Sequence, residues 1–195
     1  MDWLLSFSAE HFDLPILDWI AETLHCGFLD FLMPIITVLG NAGIFWIAVA
    51  VVLLLIPKYR KIGLGMGVSL IIGLLVCNVT LKPLIARPRP YDYQLSHFGK
   101  TVELLIAAPH DFSFPSGHTL ASFEGATVLL IGNKKLGIPA MVLACLIAFS
   151  RLYLYVHYPT DVLVAVVMGI GFGFLGNWLV NKGYAYFSRR QKNLL

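Results

Sequence analysis

Residues 62–81 run for twenty positions without an Asp, Glu, Lys or Arg, and shorter stretches of the same kind recur at 136–149 and 162–175. A helix of about 20 apolar residues matches the hydrocarbon core of a bilayer. A backbone crossing that core must satisfy its own polar groups, which restricts it to helices or a closed barrel. Apolar runs this long, without alternation, predict helices. The chain therefore reads as an all-α, polytopic membrane protein. Composition agrees: 58% of the 195 residues are hydrophobic and 13% are charged, against about 25% charged in ordinary soluble domains. The length suits one domain over 1–195, and no nucleic-acid partner is expected. Cys26, Cys77 and Cys145 are scattered and suggest neither a disulfide framework nor a zinc site.

Six spans are expected, at 20–39, 43–57, 62–82, 116–132, 136–154 and 159–181. Residues 1–19 mix aromatic and acidic positions and read as an interfacial amphipathic segment rather than a signal peptide. A long polar segment, 83–115, separates the third span from the fourth. Six spans place both termini on one side. That side would hold Lys58, Arg60, Lys61, Lys134, Lys135, Lys182, Arg189, Arg190 and Lys192, and the other Lys82, Arg87, Arg89, Lys100 and Arg151. The more basic side faces the cytoplasm, so 83–115 and 150–161 are expected outside, where five cations run against the bias.

Those cations belong to three polar clusters. In "KPLIARPRP" (82–90), Lys82, Arg87 and Arg89 stand among prolines that stop regular helix. Snorkelling cations at a helix end are the plain alternative. In "FPSGHT" (114–119), Ser116 is placed to cap a helix, Gly117 lets an anion approach the free N–H groups, and His118 sits in the first turn. In "SRLYLYVHYPTDV" (150–162), Pro159 suits the start of the last span and Asp161 can reach back to His157, four residues earlier. A carboxylate so placed fixes the tautomer of a histidine and stabilises its charged form. Two histidines, several fixed cations and a helix N-terminus suit a phosphate, whose oxygens carry charge through transfer.

With these residues in view the chain resembles the type 2 phosphatidic acid phosphatase superfamily of membrane lipid phosphatases. Lys82 with Arg89-Pro90, Pro115-Ser116-Gly117-His118, and Ser150-Arg151 with His157 and Asp161 fill the three-part family pattern in order. The resemblance implies His157 as nucleophile forming a phosphohistidine, Asp161 as its orienting partner and His118 as general acid. It implies Lys82, Arg89, Arg151, Ser116 and Gly117 as the phosphate cradle, with Arg87 accessory. It implies no metal or other cofactor, and a lipid phosphate as partner: undecaprenyl diphosphate, phosphatidylglycerol phosphate or phosphatidic acid, reached from the surrounding membrane lipids. A non-catalytic lipid-binding or transport protein on the same scaffold is the alternative, and a serine hydrolase built on Ser116 a weaker one.

Two features lie outside the pattern. Glu124, inside the fourth span, reads either as a neutral acid hydrogen-bonded to a neighbouring helix or as a functional group. The segment 91–113 is too long for a simple turn. Its Tyr91, Tyr93, His97, Lys100 and His110 are expected near a head group, with Arg87 and Lys100 serving the extra charge of a diphosphate.

Overall fold

The computed structural model describes residues 2–192, and its regular elements are all helical. The chain opens with α1 (Asp2–Ser8), a π-helical turn (Ala9–Asp13) and α2 (Leu14–Thr23), followed by α3 (Gly27–Val38). A short 3-10 turn, Asn41–Gly43, leads into α4 (Ile44–Leu55). The run then continues through α5 (Arg60–Gly73) into a π-helical stretch, Leu74–Leu81, and the single turn α6 (Lys82–Ile85). Next come α7 (Pro90–Phe98), α8 (Gly117–Gly132), α9 (Lys134–Tyr153) and α10 (Pro159–Lys192).

Pro159 opens α10 as expected, and Ser116 is the extended residue before α8 but makes no capping hydrogen bond with its side chain. The Asn133 side chain, not singled out from sequence, accepts from the N–H groups of Lys135 and Leu136 to cap α9. The polar segment 83–115 is not wholly a loop, since Pro90 starts α7 within it.

The span count differs from the expected six. Among the described residues, three helical stretches are long and apolar enough to cross a bilayer: Pro57–Phe98, Lys134–Tyr153 and Pro159–Arg190. Gly27–Val38 and Asn41–Leu55, bent by 41° at their junction, qualify only as a pair, which would bring the total to four. The physical reason is that α3 and α4 have only 12 residues each and α8 only 16.

α8 is the centre of the bundle. Nearly every residue from Thr119 to Leu129 is buried, and α4, α5, α9 and α10 all pack on it. Close approach depends on small residues, as is usual between membrane helices. A β-carbon at Gly169 would stand 2.8 Å from the Leu120 carbonyl oxygen, and one at Gly173 2.7 Å from Thr127 Cβ. Large apolar side chains face outward around this core, among them Phe28, Leu55, Leu84 and Val167, as in a protein solvated by lipid.

The first twenty residues do more than rest on a surface. Ala9, Leu14 and Leu17 are buried against Tyr93, Tyr155 and Tyr158, and Asp13 is fully buried. This packing sets the N-terminal helical run against the connection between α9 and α10.

Candidate active site

The three polar clusters meet at one end of the bundle. The end of the α5 run brings Lys82, the start of α7 brings Arg89, and the start of α8 brings Gly117 and His118. The last turn of α9 brings Arg151, and the link to α10 brings His157. Together they line a cavity of about 670 Å³.

His157 is 1% exposed. Its Nδ1 lies 3.5 Å from Oδ2 of Asp161, as the four-residue spacing implied. The Ser113 hydroxyl stands beside both, donating to Asp161 Oδ2 at 2.5 Å with its oxygen 3.4 Å from His157 Nδ1. Asp161 Oδ2 also accepts from the Tyr158 N–H. The ring is thus held from the Nδ1 side. Its Nε2 faces the cradle, 3.4 Å from Nη1 of Arg89. Burial first, then the charges of Arg89, Arg151 and Lys82, push the His157 pKa well below the ordinary 6.5. The ring is therefore a free base near neutrality.

Each cation has a partner. Arg89 donates from Nη1 to the Val156 carbonyl (2.6 Å) and from Nε to the Asp111 carbonyl (2.8 Å). The Asp111 carboxylate bridges the Arg89 guanidinium, at 2.5 Å, and the Lys82 ammonium. Against the upward push of burial, Lys82 and Arg89 hold the Asp111 carboxyl well below the usual carboxylate range. Arg151 is 2% exposed and donates to Thr37 Oγ1 at 2.6 Å. Its Nε has no hydrogen-bond partner among the described residues, which leaves a buried donor at the cavity wall.

On the opposite wall His118 Nε2 lies 2.8 Å from Asn41 Oδ1. An amide oxygen only accepts, so Nε2 carries a proton there. Gly117 lines the cavity with its helix N-terminus open. Ser116 does not: it is fully buried, with its hydroxyl 3.0 Å from that of Thr119.

Several expected residues stand elsewhere. Arg87 is absent from the cavity lining and lies behind Asp161, donating to Asp161 Oδ1 (2.6 Å), Asp13 Oδ2 (2.7 Å) and Thr160 Oγ1 (2.8 Å). Its guanidinium also covers the Tyr158 ring at 3.7 Å. Two carboxylates and an aromatic face claim it, which places this accessory residue against Asp161 rather than in the cavity. Lys100 pairs with Asp18 at 3.3 Å outside the cavity. Tyr91 donates to the Pro109 carbonyl and Tyr93 to Glu10, and His97 stacks on Tyr93. From the expected head-group segment, Ile106, Ala107, Pro109 and Asp111 line the cavity instead.

Sequence reasoning passed over Asp13, Thr37, Asn41, Asp111 and Ser113. Only Arg87 hinted at them, because a third cation that close to two others needs a counter-charge. Among the described residues no three His, Cys, Asp or Glu side chains are grouped to hold a metal ion.

The PAP2 superfamily profile matches residues 62–184. An undecaprenyl-diphosphatase of Sulfolobus acidocaldarius is 32% identical over 92% of this chain and 81% of its own length. The undecaprenyl-diphosphatase BcrC of Bacillus subtilis is 34% identical over 77% of this chain and 75% of its own. The crystal structure of a PAP2-type phosphatidylglycerolphosphate phosphatase from Bacillus subtilis superposes with a TM-score of 0.68 at 26% identity, covering 93% of this chain and 88% of that one. The chain belongs to the PAP2 superfamily and is one of its membrane phosphatases.

Proposed function

We propose that the protein removes the terminal phosphate of a lipid diphosphate or phosphomonoester through a phosphohistidine on His157, with undecaprenyl diphosphate the preferred substrate over phosphatidylglycerol phosphate and phosphatidic acid. One observation carries the reading. A buried, neutral His157 turns Nε2 toward Arg89 inside a cavity that also holds Lys82, Arg151 and His118.

The steps follow from the geometry. The terminal phosphate displaces Asp111 and takes its place between Lys82 and Arg89, with Arg151 and the Gly117 N–H completing the cradle. The Nε2 lone pair of His157 attacks phosphorus. The bond to the lipid oxygen breaks, and His118, carried as an imidazolium once the anionic phosphate offsets the neighbouring cations, gives that oxygen one proton and is left neutral. The Nδ1 hydrogen stays on the ring, facing Asp161, which offsets the charge of the phosphorylated imidazole. His118, now a base, takes a proton from water. The water oxygen attacks phosphorus, the P–N bond breaks, and inorganic phosphate leaves with His157 neutral again.

Lys82, Arg89 and Arg151 answer the charge of a diphosphate, and two relatives at 32% and 34% identity are named for undecaprenyl diphosphate. The charge bias of the sequence supports six spans of the cytoplasmic membrane, in the manner of a bacterial inner membrane. Both termini are then inside and the site outside. Phosphate release by purified protein from the three lipids tests the reading. Undecaprenyl diphosphate should have the highest kcat/KM, and release from none of the three would reject it.

A further inference from the structure

The cavity does not end at the phosphate cradle. It continues along α8, where Gly117, Ala121 and Glu124 recur on one face, and along the facing run of Leu70, Leu74, Asn78 and Lys82. Glu124 lies seven residues below Gly117, about 10 Å along the axis, and helical side chains lean back toward the N-terminus. Its carboxyl is thus within a lipid head group's reach of the cradle.

Glu124 is 1% exposed, and its Oε1 has no hydrogen-bond partner among the described residues. The expected bond to a neighbouring helix is not made. On the side of α5 a β-carbon at Gly73 would overlap the carboxyl, so a glycine there makes room for the acid without supplying a donor. No cation among the described residues lies within ion-pair distance of it. An unpaired buried carboxylate costs far more than a neutral acid, and a neutral acid has one O–H to donate.

We infer that Glu124 is a binding residue, which donates a hydrogen bond to an oxygen of the lipid just below its terminal phosphate. That oxygen is the inner phosphate of a diphosphate or an ester carbonyl of a glycerolipid. The site distinguishes such lipids from a plain alkyl phosphate, whose chain has nothing to accept. This rests on the phosphatase reading above.

The test measures kcat/KM for undecaprenyl diphosphate and for phosphatidic acid, each divided by that for dodecyl phosphate in the same preparation. The ratio cancels any loss of folded protein. Glu124→Leu should lower at least one ratio about tenfold, the size of a hydrogen bond to a charged or strongly polar acceptor, and Glu124→Gln, which keeps a donor, should retain it. A fall confined to the diphosphate identifies the inner phosphate; a fall confined to phosphatidic acid identifies the ester carbonyl. Unchanged ratios in Glu124→Leu overturn the inference, as does a Gln variant as poor as the Leu variant. A wild-type protein that hydrolyses none of the three overturns the phosphatase reading instead.

Discussion

Asp13 and Arg87 are 74 residues apart in the chain and 2.7 Å apart in the fold, both buried. The same Asp13 accepts from the Thr160 N–H and hydroxyl, next to Asp161 in sequence. The N-terminal helical run therefore reaches His157 through three side chains: Asp13, Arg87 and Asp161. Asp13→Asn keeps the shape and removes the charge. It should lower kcat about tenfold with KM unchanged, and cost on the order of 3 kcal/mol of stability, as breaking a buried ion pair does. A kcat within twofold of wild type would show that this end of the chain does not set the histidine.

Both histidines should be essential for a phosphomonoester but not equally so for a diphosphate. His157→Ala should abolish turnover of either, since no P–N bond can form. His118→Ala should slow phosphatidic acid by a factor of about 10² to 10⁴, the usual worth of a general acid. It should slow undecaprenyl diphosphate less, because a phosphate leaving group departs more readily than an alkoxide. Equal losses on both substrates would remove His118 from the leaving-group side.

In the proposed mechanism Asp111 competes with substrate for Lys82 and Arg89. Asp111→Asn should weaken that internal pairing and lower KM severalfold, with kcat little changed. A rise in KM would mean that Asp111 aims the cations rather than occupying their site.

The acid limb of kcat/KM reports the free enzyme. With the His157 pKa depressed by burial and by three cations, the nucleophile stays unprotonated as pH falls through 6.5, so its limb lies below that of an ordinary histidine. In Arg89→Gln one of those cations is gone, and the limb should move to higher pH. The sign for stability is the same: the unfolded chain gains a proton near 6.5 and the folded one does not, so this contribution is full above 6.5 and is lost as pH falls. An acid limb that stays put in Arg89→Gln would contradict the charge argument.

Sidedness is open to chemical labelling. In a chain with Cys26, Cys77 and Cys145 replaced, Lys100→Cys should react with an impermeant maleimide on intact cells and Lys134→Cys only after lysis. The opposite pattern would put the cavity in the cytoplasm.

The side chains that gather at the cavity were legible because the motifs that carry them are local. Pro115 to His118 make a helix start by themselves, and His157 and Asp161 face each other across one turn. What sets them in place was not legible, because it is carried by ordinary residues distant in sequence. Thr37 meets Arg151 across 114 positions and Asn41 meets His118 across 77, and neither type stands out in a helix or a turn. Arg87 misled because a charge beside two others reads as a third ligand. Only the buried Asp13 reveals that it faces away. The spans expected at α3, α4 and α8 are the ones whose helices are short, and hydropathy could not show this because it records how apolar a stretch is, not whether lipid or protein surrounds it.

That difference matters most for α8, which is clothed by other helices of the same chain. At 16 residues it is about 24 Å long, short of a hydrocarbon core of about 30 Å. A helix in contact with lipid would have to thin the bilayer around it, whereas one enclosed by protein has no acyl chains to match. The outer helices can tilt to suit a thicker or thinner membrane while the head of α8 stays registered to the histidine it faces. The position of the head of α8 is thus set by its protein neighbours, and a change in bilayer thickness falls on the outer helices first.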